Sequence, residues 1–298
     1  MQNLLIIVVC MSLGYLLQKT KKFPDNAAQT LNLYIIYVSV PAVIFLQIPK
    51  IQLGWSALIP ASAAWILLIL SALLTRFAAR FFSWSKAEEG CLMLLIPLGN
   101  TSFLGLPLLD ATLGKEALPI GLLYDQFGSF IALSTYGMWV LATYSGEKAS
   151  AKEAIKKVLS FPPFICIFLA LALTGVNYPS WAESILSRLA DTLVPVVIVA
   201  VGLQWQFKTD NSHIGAISFA LLIKLMLLPA LTFATLSLFG DLDLTDKVTI
   251  LQAGMSSMIT AGALASSHQL APRMSAAIVG YGILISLITV PMWHSIIT

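Results

Sequence analysis

Ten apolar runs, parted by short connections rich in charge, proline or glycine, leave this 298-residue chain few ways to fold. They cover roughly residues 3–18, 28–47, 56–75, 88–108, 118–142, 161–176, 183–203, 214–238, 246–265 and 273–296. Most reach the ~20 residues that a helix needs to cross a hydrocarbon core, and the first and sixth fall short of it. Only 10% of the residues are charged, against ~25% in soluble domains. In lipid every backbone polar group must be satisfied internally, which for such runs means helices. The expectation is an all-α polytopic membrane protein with ten transmembrane helices and no separate soluble domain. Met1-Gln2-Asn3 lacks a basic n-region and Lys19, Lys21 and Lys22 follow the first run, so that run reads as a transmembrane helix rather than a signal peptide.

The basic residues choose an orientation. Odd-numbered connections hold Lys19, Lys21, Lys22, Arg76, Arg80, Lys86, Lys148, Lys152, Lys156, Lys157, Lys208 and Arg273; even-numbered ones hold Lys50, Lys115 and Lys247. Twelve against three places the odd connections in the cytoplasm and both termini outside it. A helix too many or too few would scramble that separation, so the bias also supports the number ten.

The connection 145–160 divides the chain, and the sequence repeats weakly on either side. Pro41 matches Pro195; Gly137-Met138-Trp139 matches Pro291-Met292-Trp293; at the same offset Gly128 meets Gly282 and Thr135 meets Thr289. Each half, 1–144 and 161–298, holds five crossings, an odd number, so the second must lie upside down relative to the first. Inverted repeats of this kind provide two interchangeable packings and a route to alternating access.

The fourth run contains Pro97-Leu-Gly99-Asn100-Thr101-Ser102-Phe-Leu-Gly105-Leu-Pro107. Two prolines, two glycines and three consecutive polar residues are poor material for an unbroken helix. Asn, Thr and Ser also favour helix N-caps. A break is expected near 99–101, with a second half-helix starting close to mid-membrane. The ninth run is the counterpart: Gln252-Ala-Gly254-Met-Ser256-Ser257-Met-Ile-Thr260-Ala-Gly262, with Gly254 opposite Pro97, Ser257 opposite Asn100 and Gly262 opposite Gly105. It has no proline. Two half-helix N-termini meeting at the midplane would each offer roughly +0.5 charge and unpaired N–H donors to an anion, typically a carboxylate. Asn100, Thr101, Ser102, Ser256, Ser257 and Thr260 are the candidate substrate ligands.

Ionisable residues within runs are the second clue, because a charge at the bilayer centre costs ~2.5–3.5 kcal/mol on insertion scales. Lys224, Asp191 and Asp125 lie deep in the eighth, seventh and fifth runs. Arg188 stands three residues before Asp191 on the same helical face. Each admits two readings: a structural pair or a functional one for Arg188–Asp191, a packing counter-ion or a substrate contact for Lys224, a hydrogen-bonded structural acid or a proton or Na⁺ site for Asp125.

Other chemistries find little support. Cys10, Cys91 and Cys166 lie in apolar stretches and read as core residues. His213, His268 and His294 have no ligand spacing, and Asp241-Leu-Asp243 has no second acidic motif to face, so neither a metal site nor an enzyme is expected. Glu88, Glu89 and Asp246 fall at helix starts, where the macrodipole explains them. Basic residues do not cluster with aromatics as a nucleic-acid surface would. Trp65 and Trp139 lie away from the expected interfaces and read as packing between helices.

Together Leu31-Asn32 through Tyr37 to Pro41 and Phe45, the stretch Asn100 to Pro107, Pro195 with Gly202, and Lys224-Leu-Met-Leu-Leu-Pro229 resemble the auxin efflux carrier family in its compact bacterial form. The resemblance runs over nearly the whole chain. It implies a five-plus-five inverted repeat with crossed, broken fourth and ninth helices, in a bacterial inner membrane. It implies transport of organic anions such as auxins, malate or malonate, with Asn100 and the Ser256–Ser257 region lining the site and Lys224 at a frequently basic position. Relatives usually carry proline at the ninth break, where this chain has Ser256. The expected partners are a small organic anion and membrane lipid; a homodimer is allowed, and no cofactor is expected beyond a coupling proton or Na⁺. The rival reading is a membrane receptor that binds a ligand in the same pocket without moving it.

Overall fold

The computed structural model describes residues 2–24, 26–50, 58–146, 151–176, 178–204 and 213–298. The first residues of the third expected span, residues 147–150 of the central connection, and Lys148 and Lys208 of the basic set lie outside the described residues. Described residues are helical almost throughout and form no strand, only one isolated bridge.

Helices α1 (Gln2–Thr20), α2 (Ala27–Tyr34) and α3 (Val40–Gln47) open the chain, followed by α4 (Leu58–Phe81). The fourth run is not one helix but two, α5 (Lys86–Leu95) and α6 (Leu106–Thr112). The fifth is helical over 118–145, as α7 (Leu118–Leu123) and α8 (Met138–Ser145) with two wide i→i+5 stretches, Tyr124–Phe130 and Leu133–Gly137, between them. A short helix α9 (Ala151–Leu159) occupies the central connection. Then come α10 (Pro162–Ala172), α11 (Ser180–Ala190), α12 (Leu193–Gln204), α13 (Ile214–Leu222) and α14 (Leu228–Leu236). The ninth run is again divided, into α15 (Leu244–Ala253) and α16 (Ile259–Ser267), and α17 (Pro272–Ile297) completes the set.

Five helical stretches are long and apolar enough to cross a membrane: Ala27–Gln47, Leu58–Phe81, Ser180–Gln204, Ile214–Phe239 and Pro272–Ile297. These answer to the second, third, seventh, eighth and tenth runs. The remaining five runs fail that length-and-hydropathy measure for visible reasons. Leu5–Thr20 and Pro162–Ala172 are short, the fourth and ninth are interrupted, and the fifth is diluted by polar and small residues along its length, Asp125 and Gln126 among them.

Packing divides the helices into two groups. In one, α1 lies along α12, α2 packs on α12, and α3 packs on α10 and α11. Gly14 and Gly202 set the α1–α12 approach: a Cβ on Gly14 would fall 2.9 Å from the Gly202 Cα, and the reverse distance is the same. In the other group α4 meets the 124–130 turn and α15, α5 meets α8, α16 and α17, and α14 meets α15. The half-helix α6 touches α1 and α12 and so joins the groups through a continuous apolar core that includes Ile7, Leu104, Leu108 and Val197.

The acidic helix starts behave as the macrodipole predicts, with added detail. Ser85 and Glu88 form a capping box on α5, and Asp243 and Asp246 form one on α15. Asp243 is thereby accounted for as a cap. Trp65 does pack between helices, its Nε1 donating to the Phe127 carbonyl at 3.0 Å. Trp139 does not: it is exposed on α8. Cys10, Cys91 and Cys166 are free thiols.

Candidate functional site

The two interruptions meet. Asn100 N–H donates to the Ser256 carbonyl at 2.7 Å, and Met258 N–H donates to the Leu98 carbonyl at 2.9 Å, with Gly99 and Ser257 paired antiparallel between them. The chain after α5 is broken by Pro97, which cannot donate, and Gly99. The chain after α15 is broken at Gly254, its C-terminal cap, packed on the Pro229 ring. No proline is required there, because the freed backbone groups find partners on the crossing strand rather than in their own helix. Buried backbone groups need such partners.

Beyond the crossover each chain resumes helical geometry without a side-chain cap. Asn100 precedes the wide turn Thr101–Gly105 and Met258 precedes α16, and neither side chain bonds back to the helix it starts. The polar side chains here are buried and unsatisfied. Asn100 is 1% exposed, Ser256 0% and Ser257 1%, and Asn100 Nδ2, Ser256 Oγ and Ser257 Oγ have no hydrogen-bond partner. An unmade hydrogen bond on a buried group costs about 1–3 kcal/mol. The three atoms belong to residues joined by the backbone pairing of the crossover.

Lys224 brings an ionisable amine to the same place. It sits in the wide turn Ile223–Leu227 between α13 and α14, and it is 3% exposed. A Cβ on Gly99 would lie 3.0 Å from Lys224 Nζ and 3.4 Å from its Cε, so glycine at the crossover makes room for the lysine. Among the described residues no carboxylate pairs with it. Trp293 of α17 steadies the turn by donating to the Leu225 carbonyl at 3.0 Å.

On the other flank, Thr101 Oγ1 donates to Asp125 Oδ1 at 2.6 Å and Gln126 Nε2 donates to Asp125 Oδ2 at 2.6 Å. Gln252 ties the layers together, its Nε2 donating to the Thr101 carbonyl at 3.2 Å and the Gly121 carbonyl at 3.3 Å. Gly105 packs directly on the Gln252 side chain. Gln252 and Gln126 are absent from the sequence-based candidates, although an uncharged polar residue inside an apolar run is the signal that marks both.

Other expectations need correction. Thr260 lies exposed in the first turn of α16 and does not join the buried cluster. Ser102 is half-buried, one residue past the cluster, beside Asp125. Gly105 and Gly262 lie inside helical turns rather than at the breaks; Gly262 packs on Val279 and its carbonyl accepts from Ser275 Oγ at 2.9 Å. Pro107 occupies the first turn of α6, where proline is tolerated. Asp191 is not buried within an unbroken helix: a turn interrupts the Ser180–Gln204 stretch there. It stands at the turn between α11 and α12, 57% exposed, and pairs with Lys115 at 2.9 Å. Arg188, one turn earlier and exposed, makes no ion pair with it.

Two cavities lie at opposite ends of α12. One, of about 570 Å³, is lined by Pro107, Asp110, Lys115, Glu183, Asp191 and Pro195. The other, of about 350 Å³, is lined by Val201, Gln204, Gly262, Ser266, Ser275 and Ile283.

Residues 1–294 match the family model described as membrane transport protein, the auxin efflux carriers. The chain belongs to this family. Relatives run along its full length. A protein of Methanothermobacter thermautotrophicus named as an uncharacterized transporter is 24% identical over 300 residues, 99% of this chain and 98% of its own. The uncharacterized transporter YfdV of Escherichia coli K12 is 24% identical over 313 residues, 98% of this chain and 95% of its own. A Rhizobium meliloti protein whose name proposes malonate as its substrate is 25% identical over 243 residues, 78% of this chain and 74% of its own. The carrier is thus an integral membrane protein of a transporter family, and its helices have the apolar character that requires.

Proposed function

We propose that this carrier moves a small organic anion, a carboxylate, across the membrane by alternating access, and that the anion sits at the crossover of the fourth and ninth segments. The observation that carries the reading is the buried Lys224 ammonium against Gly99, beside the unpartnered Asn100 amide and the Ser256 and Ser257 hydroxyls. A carboxylate supplies what all of these lack: negative charge and up to four lone-pair positions. Charge-assisted hydrogen bonds are roughly twice as strong as neutral ones. The relative named for malonate supports the same class of substrate.

The layout that goes with this reading is ten spans in two inverted five-helix repeats, 1–144 and 161–298, joined by the connection 145–160. Its support is the position of the interruptions, fourth and ninth in order, and the twelve-to-three distribution of basic residues. On that orientation both termini lie outside the cytoplasm and the cavity holding Lys115 and Asp191 opens outward. The opposite cavity opens inward, and the site between them communicates with one at a time.

Flux of radiolabelled malonate into proteoliposomes containing the purified protein tests the proposal, with malate and an aromatic monocarboxylate alongside. Saturable, protein-dependent uptake of one of them is expected. Binding without flux would favour a receptor, and neither binding nor flux across the panel would remove the carboxylate reading.

A further inference from the structure

We propose that Asp125 is the group on which this carrier takes up and releases a proton as it loads and unloads its anion. The inference rests on the anion-site reading above and adds the coupling ion to it.

Asp125 is 3% exposed and lies in the wide turn Tyr124–Phe130. Its two oxygens accept from Thr101 Oγ1 and Gln126 Nε2, both at 2.6 Å. Thr101 follows Asn100 directly, so one hydrogen bond and one residue separate the carboxyl from the proposed anion ligand. Any shift of the crossover on binding is felt at Asp125.

The network has a built-in acceptor for an acid proton. Gln126 is 1% exposed, and its Oε1 is buried with no hydrogen-bond partner. While Asp125 is ionised, the Nε2 end of that amide serves it. Once a proton is bound, Asp125 has an O–H to donate, and a half-turn of the amide presents Oε1 to receive it. The Thr101 hydroxyl donates or accepts as required. The step is proton transfer alone: an O–H bond forms at Asp125 with a proton taken from water on one side of the membrane, and the same bond breaks to release it to water on the other.

The surrounding charges leave this role to Asp125. Helix α4 faces the turn through Ala64 and Trp65, and its charges Arg76 and Arg80 lie at least eleven residues on, about 16 Å at helical rise. From α15 the facing group is Gln252, with Asp246 and Lys247 more than a helical turn away. Helix α7 carries no ionisable residue, Asp110 lies at the far end of α6, Tyr124 is the chain neighbour, and Tyr136 of the next wide turn is engaged with the Met93 carbonyl. Lys224 stands at the crossover against Gly99, where the anion is to bind. A proton arriving on Asp125 offsets one negative charge of the solute, which favours passage through a medium where uncompensated charge is expensive. A metal cation is a poorer fit, because N–H and O–H donors already point their hydrogens at both carboxyl oxygens.

Two measurements decide. Infrared difference spectra of the purified carrier between acid and alkaline pH report the C=O stretch of a buried carboxylic acid and need no substrate. The band is expected in the wild type, absent in Asp125→Asn, and present but displaced in Asp125→Glu and in Thr101→Val, which removes a hydrogen bond to the carboxyl. A spectrum unchanged in Asp125→Asn overturns the proposal whatever the substrate is. In proteoliposomes an imposed pH gradient is expected to drive malonate accumulation by the wild type and Asp125→Glu, with that driven component lost in Asp125→Asn. Accumulation that follows the pH gradient equally in Asp125→Asn, or that follows Na⁺ instead, overturns it. If the wild type moves no malonate, the substrate reading fails for that probe while the infrared result still decides the role of Asp125.

Discussion

The Asn100 backbone N–H donates to the Ser256 carbonyl at 2.7 Å, and Met258 N–H to the Leu98 carbonyl, so each broken segment supplies a backbone partner that the other has lost. This mutual repair lets two interruptions persist inside an apolar protein and leaves Asn100 Nδ2 and the Ser256 and Ser257 hydroxyls out of the pairing that holds them. Several consequences can be measured.

Asn100→Ala removes a donor from the site while keeping the backbone bonds that hold the crossover. Hydrogen bonds to charged groups contribute about 1.5–3 kcal/mol, so carboxylate affinity should fall by roughly tenfold to a hundredfold. Calorimetric binding checks this, and the melting temperature should change little.

Lys224→Met separates two roles for the lysine. A packing counter-ion would be missed by the fold, and its loss would lower the melting temperature. A substrate ligand buried without a protein partner is a burden on the empty carrier, since an unpaired charge is costly to bury. The account predicts equal or higher thermal stability together with loss of anion binding.

Gly202→Val drives a branched side chain into the backbone of α1 at Met11 and Gly14. Overpacking of this kind costs typically about 1–3 kcal/mol. A lower melting temperature and a looser α1–α12 pair, seen as faster amide exchange in α1, are expected, whereas Gly215→Val meets open space and should be tolerated.

Lys115→Ala tests the pair at the mouth of the larger cavity. The hydrogen bond to Asp191 comes first, and with the carboxylates of Asp191 and Asp110 it holds the Lys115 ammonium above the ordinary lysine range. A raised value means that the pair's stabilisation is complete below the unfolded lysine value and disappears as pH climbs through the folded one. Because both side chains are more than half exposed, the contribution is under about 1 kcal/mol. A stability difference between wild type and Lys115→Ala should therefore be small at neutral pH and vanish at strongly alkaline pH.

Much of this was legible in the sequence where local chemistry decides it. Pro97 and Gly99 announce the fourth interruption, because proline and glycine act on their own backbone. The ninth was legible only by correspondence with the fourth, since it is held by cross-chain pairing that no local residue declares. Asp191 illustrates the opposite error. Its neighbour Arg188 at helical spacing suggested a local pair, but the helix turns at Asp191 and the partner is Lys115, distant in sequence. Gln252 and Gln126 were passed over because, unlike Asn100, neither stands at an expected break, yet burial makes their hydrogen bonds as constraining as those of an acid.

The central claim is that a carboxylate occupies the crossover beside Lys224, and a structure of the carrier with malonate tests it most directly, by cryo-electron microscopy in lipid nanodiscs. The account predicts density within hydrogen-bonding reach of Lys224 Nζ, Asn100 Nδ2 and the Ser256 and Ser257 hydroxyls, absent without malonate and absent in Lys224→Met. Malonate bound elsewhere, with the crossover side chains unchanged, would contradict it.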